Sequence, residues 1–113
     1  TGGDEINELC WTNDTRSMEL LTSQNKTLAD ALNDYFATLQ STIKGTGKTS
    51  VAWQEVVYTP ETPGVPPPIT QNLTITKDTV ILPWIKAADA AAIVDLGYRI
   101  VHASYEYFYL DCG

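Results

Sequence analysis

The sequence predicts an α/β fold whose sheet is parallel, with about four strands joined by crossover helices. Two observations carry this. Strand-like and helix-like segments alternate along the chain in the order strand, helix, strand, loop, strand, helix, strand. Residues suited to chemistry fall at the carboxyl ends of the strand-like segments, where α/β folds collect them.

Residues 1–12 read as the end of a strand running into a loop, with Gly2-Gly3 permitting a bend. Asn13 or Asp14 is placed to cap a short helix through about Leu21. Leu28, Leu32, Tyr35, Phe36, Leu39 and Ile43 recur at helical spacing and form one apolar stripe. Thr27 precedes that helix with Asp30 in the capping-box position, and Gly45-Thr46-Gly47 stops it.

Thr49 to Val57 is rich in β-branched and aromatic residues and predicts a strand. Pro60 to Pro68 holds five prolines and predicts an extended loop. Val80 to Trp84 is a short apolar strand closed by Pro83. The alanine-rich run Ala87 to Leu96 predicts a helix with Gly97 as its left-handed cap. Tyr98 to Ala103 is the last strand, with His102 inside it, and an aromatic stretch from Tyr105 to Tyr109 follows. Four strands are half of a (β/α)8 (TIM) barrel, so the expectation is a partial barrel in a single domain over residues 1–113.

Composition narrows the function. A net charge of −7 argues against nucleic acid and against anionic membranes as partners. No apolar run reaches the ~18 residues of a membrane-spanning helix. Cys10, Cys112 and His102 lack zinc-ligand spacing, so neither a metal nor another cofactor is expected. Three acceptor sequons begin at Asn13, Asn25 and Asn72 and favour a secreted glycoprotein. In that setting each cysteine is expected to be paired, either Cys10 with Cys112 or each with a partner outside these residues.

The chemistry-bearing residues are Asp4-Glu5 behind two glycines, Trp53 and Trp84 at strand ends, and Tyr109 with Asp111 at the close. Two carboxylates, a phenol and large aromatic faces suit a sugar-cleaving site. Glu55 points the same way by position, but a surface carboxylate is the reading adopted for it.

These residues carry a resemblance. Gly2-Gly3-Asp4-Glu5, Trp53-Gln54-Glu55, Trp84, Gly97-Tyr98-Arg99 and Tyr109-Leu110-Asp111-Cys112-Gly113 stand in the order and at spacings compatible with glycoside hydrolase family 20, the β-N-acetylhexosaminidases. The chain resembles the fungal secreted members most. The resemblance implies removal of terminal β-linked N-acetylglucosamine or N-acetylgalactosamine by substrate-assisted retaining catalysis. It implies Glu5 as general acid, Asp4 as the group orienting the sugar's acetamido N–H, and Tyr109 as donor to the acetamido oxygen. Trp53 and Trp84 wall the acetamido pocket and Asp111 holds sugar hydroxyls. By the same resemblance the residues run from the end of barrel strand four to strand seven, and Leu82 departs from the polar residue often found before the tryptophan. In the fungal members each of the two cysteines, Cys10 and Cys112, pairs with a cysteine that has no counterpart here. The partners implied are N-acetylhexosamine-containing glycans, together with the rest of the barrel or a second copy of the chain. The alternative reading is an inactive half-barrel that binds N-acetylated sugars as a lectin does.

Overall fold

The computed structural model describes residues 1–61, 63 and 69–111. Most of the proline-rich loop and Cys112 therefore lie outside the described residues, and so does the proposed Cys10–Cys112 bridge; Cys10 itself is exposed. Three helices open the chain: the short α1 (Glu8–Thr12) and α2 (Thr15–Ser23) and the long α3 (Leu28–Gly45). The sheet follows as β1 (Val51–Trp53), β2 (Val80–Leu82) and β3 (Arg99–Ile100). Helix α4 (Asp89–Asp95) links β2 to β3, and α5 (Tyr105–Phe108) follows β3.

The strands lie in the order β1-β2-β3 and all pairs are parallel, as the alternation predicts. Among the described residues the sheet has three strands where about four are expected. The difference lies at residues 1–3. Thr1 N donates to Val51 O (2.6 Å) and Trp53 N donates to Gly2 O (3.1 Å), so this segment runs beside the free edge of β1 in the same direction. The left-handed angles of Gly2 and Gly3 (φ +63° and +95°) break the ladder before it becomes a regular strand.

The strands are also shorter than their apolar runs. β1 ends at Trp53 because Gln54–Val56 turns into a 3₁₀ helix, and β2 ends before Pro83, which lacks an N–H to continue the ladder. Residues 7–12 are not a loop: Asn7 Oδ1 accepts from Cys10 N (3.1 Å) and caps α1. The aromatic stretch is likewise helical, with Ser104 capping α5. His102 lies beyond β3 and is exposed, its ring edge-on to Tyr107 and Phe108.

Helices α2 and α3 form where the sequence places their caps. Asp14 accepts from Ser17 N (3.0 Å) at the start of α2. Thr27 and Asp30 form the reciprocal capping box of α3, at 3.1 and 2.8 Å. Its stripe buries Leu28 and Phe36. Gly97, at φ +87°, ends α4 as a left-handed cap. Phe36 from α3, Ala52 and Ile81 from the sheet, Val56, Ile75, Ile93 from α4 and Tyr98 form one core. Lys77 closes one end, with its ammonium 3.8 Å from the Tyr98 ring centre and 2.6 Å from Leu96 O.

The capping box carries a pH dependence. Hydrogen bonds from the Thr27 backbone and hydroxyl hold the Asp30 carboxyl below its ordinary 3.8. A lowered folded-state pKa stabilises the protein above the unfolded value and loses that contribution as pH falls through the folded one. Acid unfolding of Asp30→Asn is therefore predicted to be flatter with pH below 3.8 than that of the unsubstituted protein. Parallel curves for the two proteins contradict this.

Candidate functional site

The site is built at the carboxyl end of the sheet. Trp53 is the last residue of β1, Trp84 stands two residues past β2, and Tyr109 follows α5. Asp4 and Glu5 arrive from the segment beside β1. These five residues line one cavity of about 170 Å³. That is smaller than the ~300–1,000 Å³ of pockets that enclose a whole drug-sized ligand. It fits a small substituent and one face of a ring. Asp111, the sixth expected site residue, is exposed and is not among the lining residues.

Adjacent residues on a regular strand face opposite ways, so Asp4 and Glu5 meet in one cavity only through a bend. Gly2, Gly3 and Glu5 all have left-handed backbones, Glu5 at φ +48°. For Glu5 that conformation costs on the order of 1–3 kcal/mol, as strained residues at functional sites do. Gly3 is required on two counts. Its φ of +95° disfavours a side chain, and a Cβ there runs into Val56 Cγ1 and lies 3.1 Å from Phe36 Cζ.

The aromatic wall is one stack. The Trp53 and Trp84 rings meet edge to face with centres 6.4 Å apart, and Trp84 stacks on Tyr109 at 6.3 Å and 21°. Trp84 is thus the shared member, and two consecutive residues hold it. Buried Gln54 accepts from Trp84 N (2.9 Å) and Ile85 N (3.1 Å) with its amide oxygen. Its amide nitrogen donates to buried Asp89 (2.8 Å). The carboxylate of Glu55 accepts the Trp84 indole N–H with both oxygens, at 3.1 and 3.0 Å, and Glu5 N at 3.4 Å.

This corrects the surface reading of Glu55: the residue is half-buried and bonded to two members of the site. Gln54 and Asp89 were not anticipated as supports. The signal available was a Gln and a Glu directly after a strand-end tryptophan, within the Trp53-Gln54-Glu55 motif. Among the described residues no group of three or more His, Cys, Asp or Glu could hold a metal ion. Two sequon asparagines, Asn13 and Asn25, are exposed; the side chain of Asn72 lies outside the description.

Comparison with known proteins adds kinship to the geometry. The family model described as glycosyl hydrolase family 20, catalytic domain, matches residues 1–113. Beta-hexosaminidase subunit A2 of Dictyostelium discoideum is 26% identical over 112 residues, covering 98% of this chain and 18% of that protein. Beta-hexosaminidase 1 of Arabidopsis thaliana is 28% identical over 110 residues, covering 97% of the chain and 18% of its own length. The chain thus spans about a fifth of the length of these curated relatives. No solved structure matches the chain significantly.

Gly3→Ala is predicted to lower stability by about 1–3 kcal/mol through overpacking and backbone strain. A urea midpoint equal to that of the unsubstituted protein contradicts the proposed entry of the carboxylates.

Proposed function

The chain belongs to glycosyl hydrolase family 20, and on that premise we propose that it supplies the acid end and the aromatic wall of a β-N-acetylhexosaminidase site. The supporting observation is the single cavity that Asp4, Glu5, Trp53, Trp84 and Tyr109 line together. In this reading residues 1–113 are one part of a (β/α)8 barrel, from the end of its fourth strand to its seventh. The remaining strands, or a second copy of the chain, close it. A sheet of three parallel strands bordered by a further segment agrees with such a part.

The chemistry follows from the residue types. The substrate's own acetamido oxygen attacks the anomeric carbon while the Glu5 carboxylic acid gives its proton to the departing glycosidic oxygen. The bond to the leaving alcohol breaks and an oxazoline-like ring forms. Asp4 accepts the acetamido N–H and steadies the positive charge that develops there. Tyr109 donates its hydroxyl to the acetamido oxygen and aligns it for attack. Trp53 and Trp84 pack on the acetamido methyl and keep water out. Glu5, now a carboxylate, takes a proton from water as it opens the ring, which restores the acid with retained configuration. Asp111 holds sugar hydroxyls at the rim. The substrates are glycans ending in β-linked N-acetylglucosamine or N-acetylgalactosamine, and the setting is extracellular, in keeping with exposed Asn13 and Asn25 as glycan acceptors.

One observation favours a second reading. The cavity is small and its carboxylates are exposed, an arrangement that also serves binding without turnover, as in a lectin. Hydrolysis of a chromogenic N-acetyl-β-glucosaminide separates the two. The enzymatic reading predicts turnover that falls by about 10²–10⁴-fold in Glu5→Gln, the share of a general acid, with substrate affinity kept. Unchanged turnover in Glu5→Gln contradicts it. Sugar binding without turnover, lost in Trp84→Ala and indifferent to Glu5→Gln, establishes the lectin reading instead.

A further inference from the structure

Glu55 does not line the cavity, yet it touches two of the groups that shape it. We propose that Glu55 is a positioning residue that fixes the Trp84 ring and the Glu5 backbone relative to each other. The proposal deepens the hexosaminidase reading and rests on it for its consequence at the sugar.

The argument begins with the turn. The 3₁₀ segment Gln54–Val56 buries Gln54 and Val56 and leaves the Glu55 side chain between the end of β1 and the residues past β2. Both carboxylate oxygens then face one indole N–H, at 3.1 and 3.0 Å. A charged acceptor roughly doubles the strength of such a bond over a neutral one. An indole ring turns about two side-chain torsions, and one strong bond at its nitrogen selects the plane. That plane is the one stacked on Tyr109 and edge-on to Trp53, so the whole wall inherits it. The second bond reaches Glu5 N at 3.4 Å, where the backbone holds an unfavourable left-handed angle of +48°. One carboxylate thereby ties the acid's main chain to the aromatic wall. Gln54 fixes the main chain of Trp84 and Glu55 fixes its ring, so the two roles are separable.

The test uses the three tryptophans, Trp11, Trp53 and Trp84, which give three indole N–H resonances. Trp84→Phe identifies the Trp84 signal, and the exposed Trp11, which does not line the Trp53–Trp84–Tyr109 cavity, serves as reference. Glu55→Gln is expected to move the Trp84 indole resonance upfield and speed its hydrogen exchange about tenfold, the loss of a charged hydrogen bond. Trp11 stays in place. N-acetylglucosamine, followed by tryptophan fluorescence, is expected to bind about tenfold more weakly to Glu55→Gln. In a Trp84→Phe background the same substitution costs no further affinity, a non-additivity that a merely structural carboxylate does not produce. If Glu55→Gln fails to fold, Glu55→Asp, which keeps the charge but draws it back by one methylene, is read in the same way.

An unmoved Trp84 resonance overturns the proposal, and so does an equal loss of affinity in the Trp84→Phe background. An unsubstituted protein that ignores N-acetylglucosamine while its Trp84 resonance still responds to Glu55→Gln overturns the sugar reading and upholds the positioning role.

Discussion

The amide of Gln54 is the interaction on which this structure turns. It is fully buried, and both of its ends are used. The oxygen takes the main-chain N–H groups of Trp84 and Ile85, and the nitrogen gives to Asp89. The Asp89 carboxylate also accepts Lys86 N at 3.3 Å, so the chain leaving β2 is held at both ends of its turn into α4. A buried amide left without partners costs about 1–3 kcal/mol for each group, which makes this arrangement all or none. The network reaches the other flank as well, where Glu106 of α5 accepts Ala87 N at 2.7 Å. Strand end, helix start and the main chain of the aromatic wall are therefore placed by the Gln54–Asp89 pair together with Glu106.

The Asp4-Glu5 side of the cavity depends on backbone freedom as well as on hydrogen bonds. Gly3 passes over Val56 and Phe36 so closely that no side chain fits, and its left-handed turn brings the next two carboxylates round. The packing that forbids a Cβ at Gly3 involves Val56, in the same turn as Gln54 and Glu55. Three consecutive residues thus serve three parts of the site: Gln54 the main chain of the wall, Glu55 its ring, and Val56 the path of the acid pair.

Much of this was legible in the sequence, for reasons that differ by element. Helix α3 was readable because its stripe repeats over 18 residues and its capping box is local in sequence. The parallel sheet followed from alternation, but strand lengths did not, because a 3₁₀ turn and a proline cut them short. Helices α1 and α5 have 5 and 4 residues, too few to show a period. The residues lining the cavity were visible through the motifs that carry the family resemblance. The Gln54 and Glu55 side chains act across sequence separations of 29 to 50 residues, and no local pattern reveals such pairings.

In the function we propose, this cavity grips the acetamido group in its ring-closed form. The most direct measurement is the affinity of the protein for a stable cyclic analogue of the oxazoline, set against its affinity for N-acetylglucosamine. Differential binding of the reaction's intermediate predicts an analogue held at least about 10²-fold more tightly, with the advantage lost in Asp4→Asn. An analogue bound no better than the free sugar, or equally well by Asp4→Asn, rules out this grip.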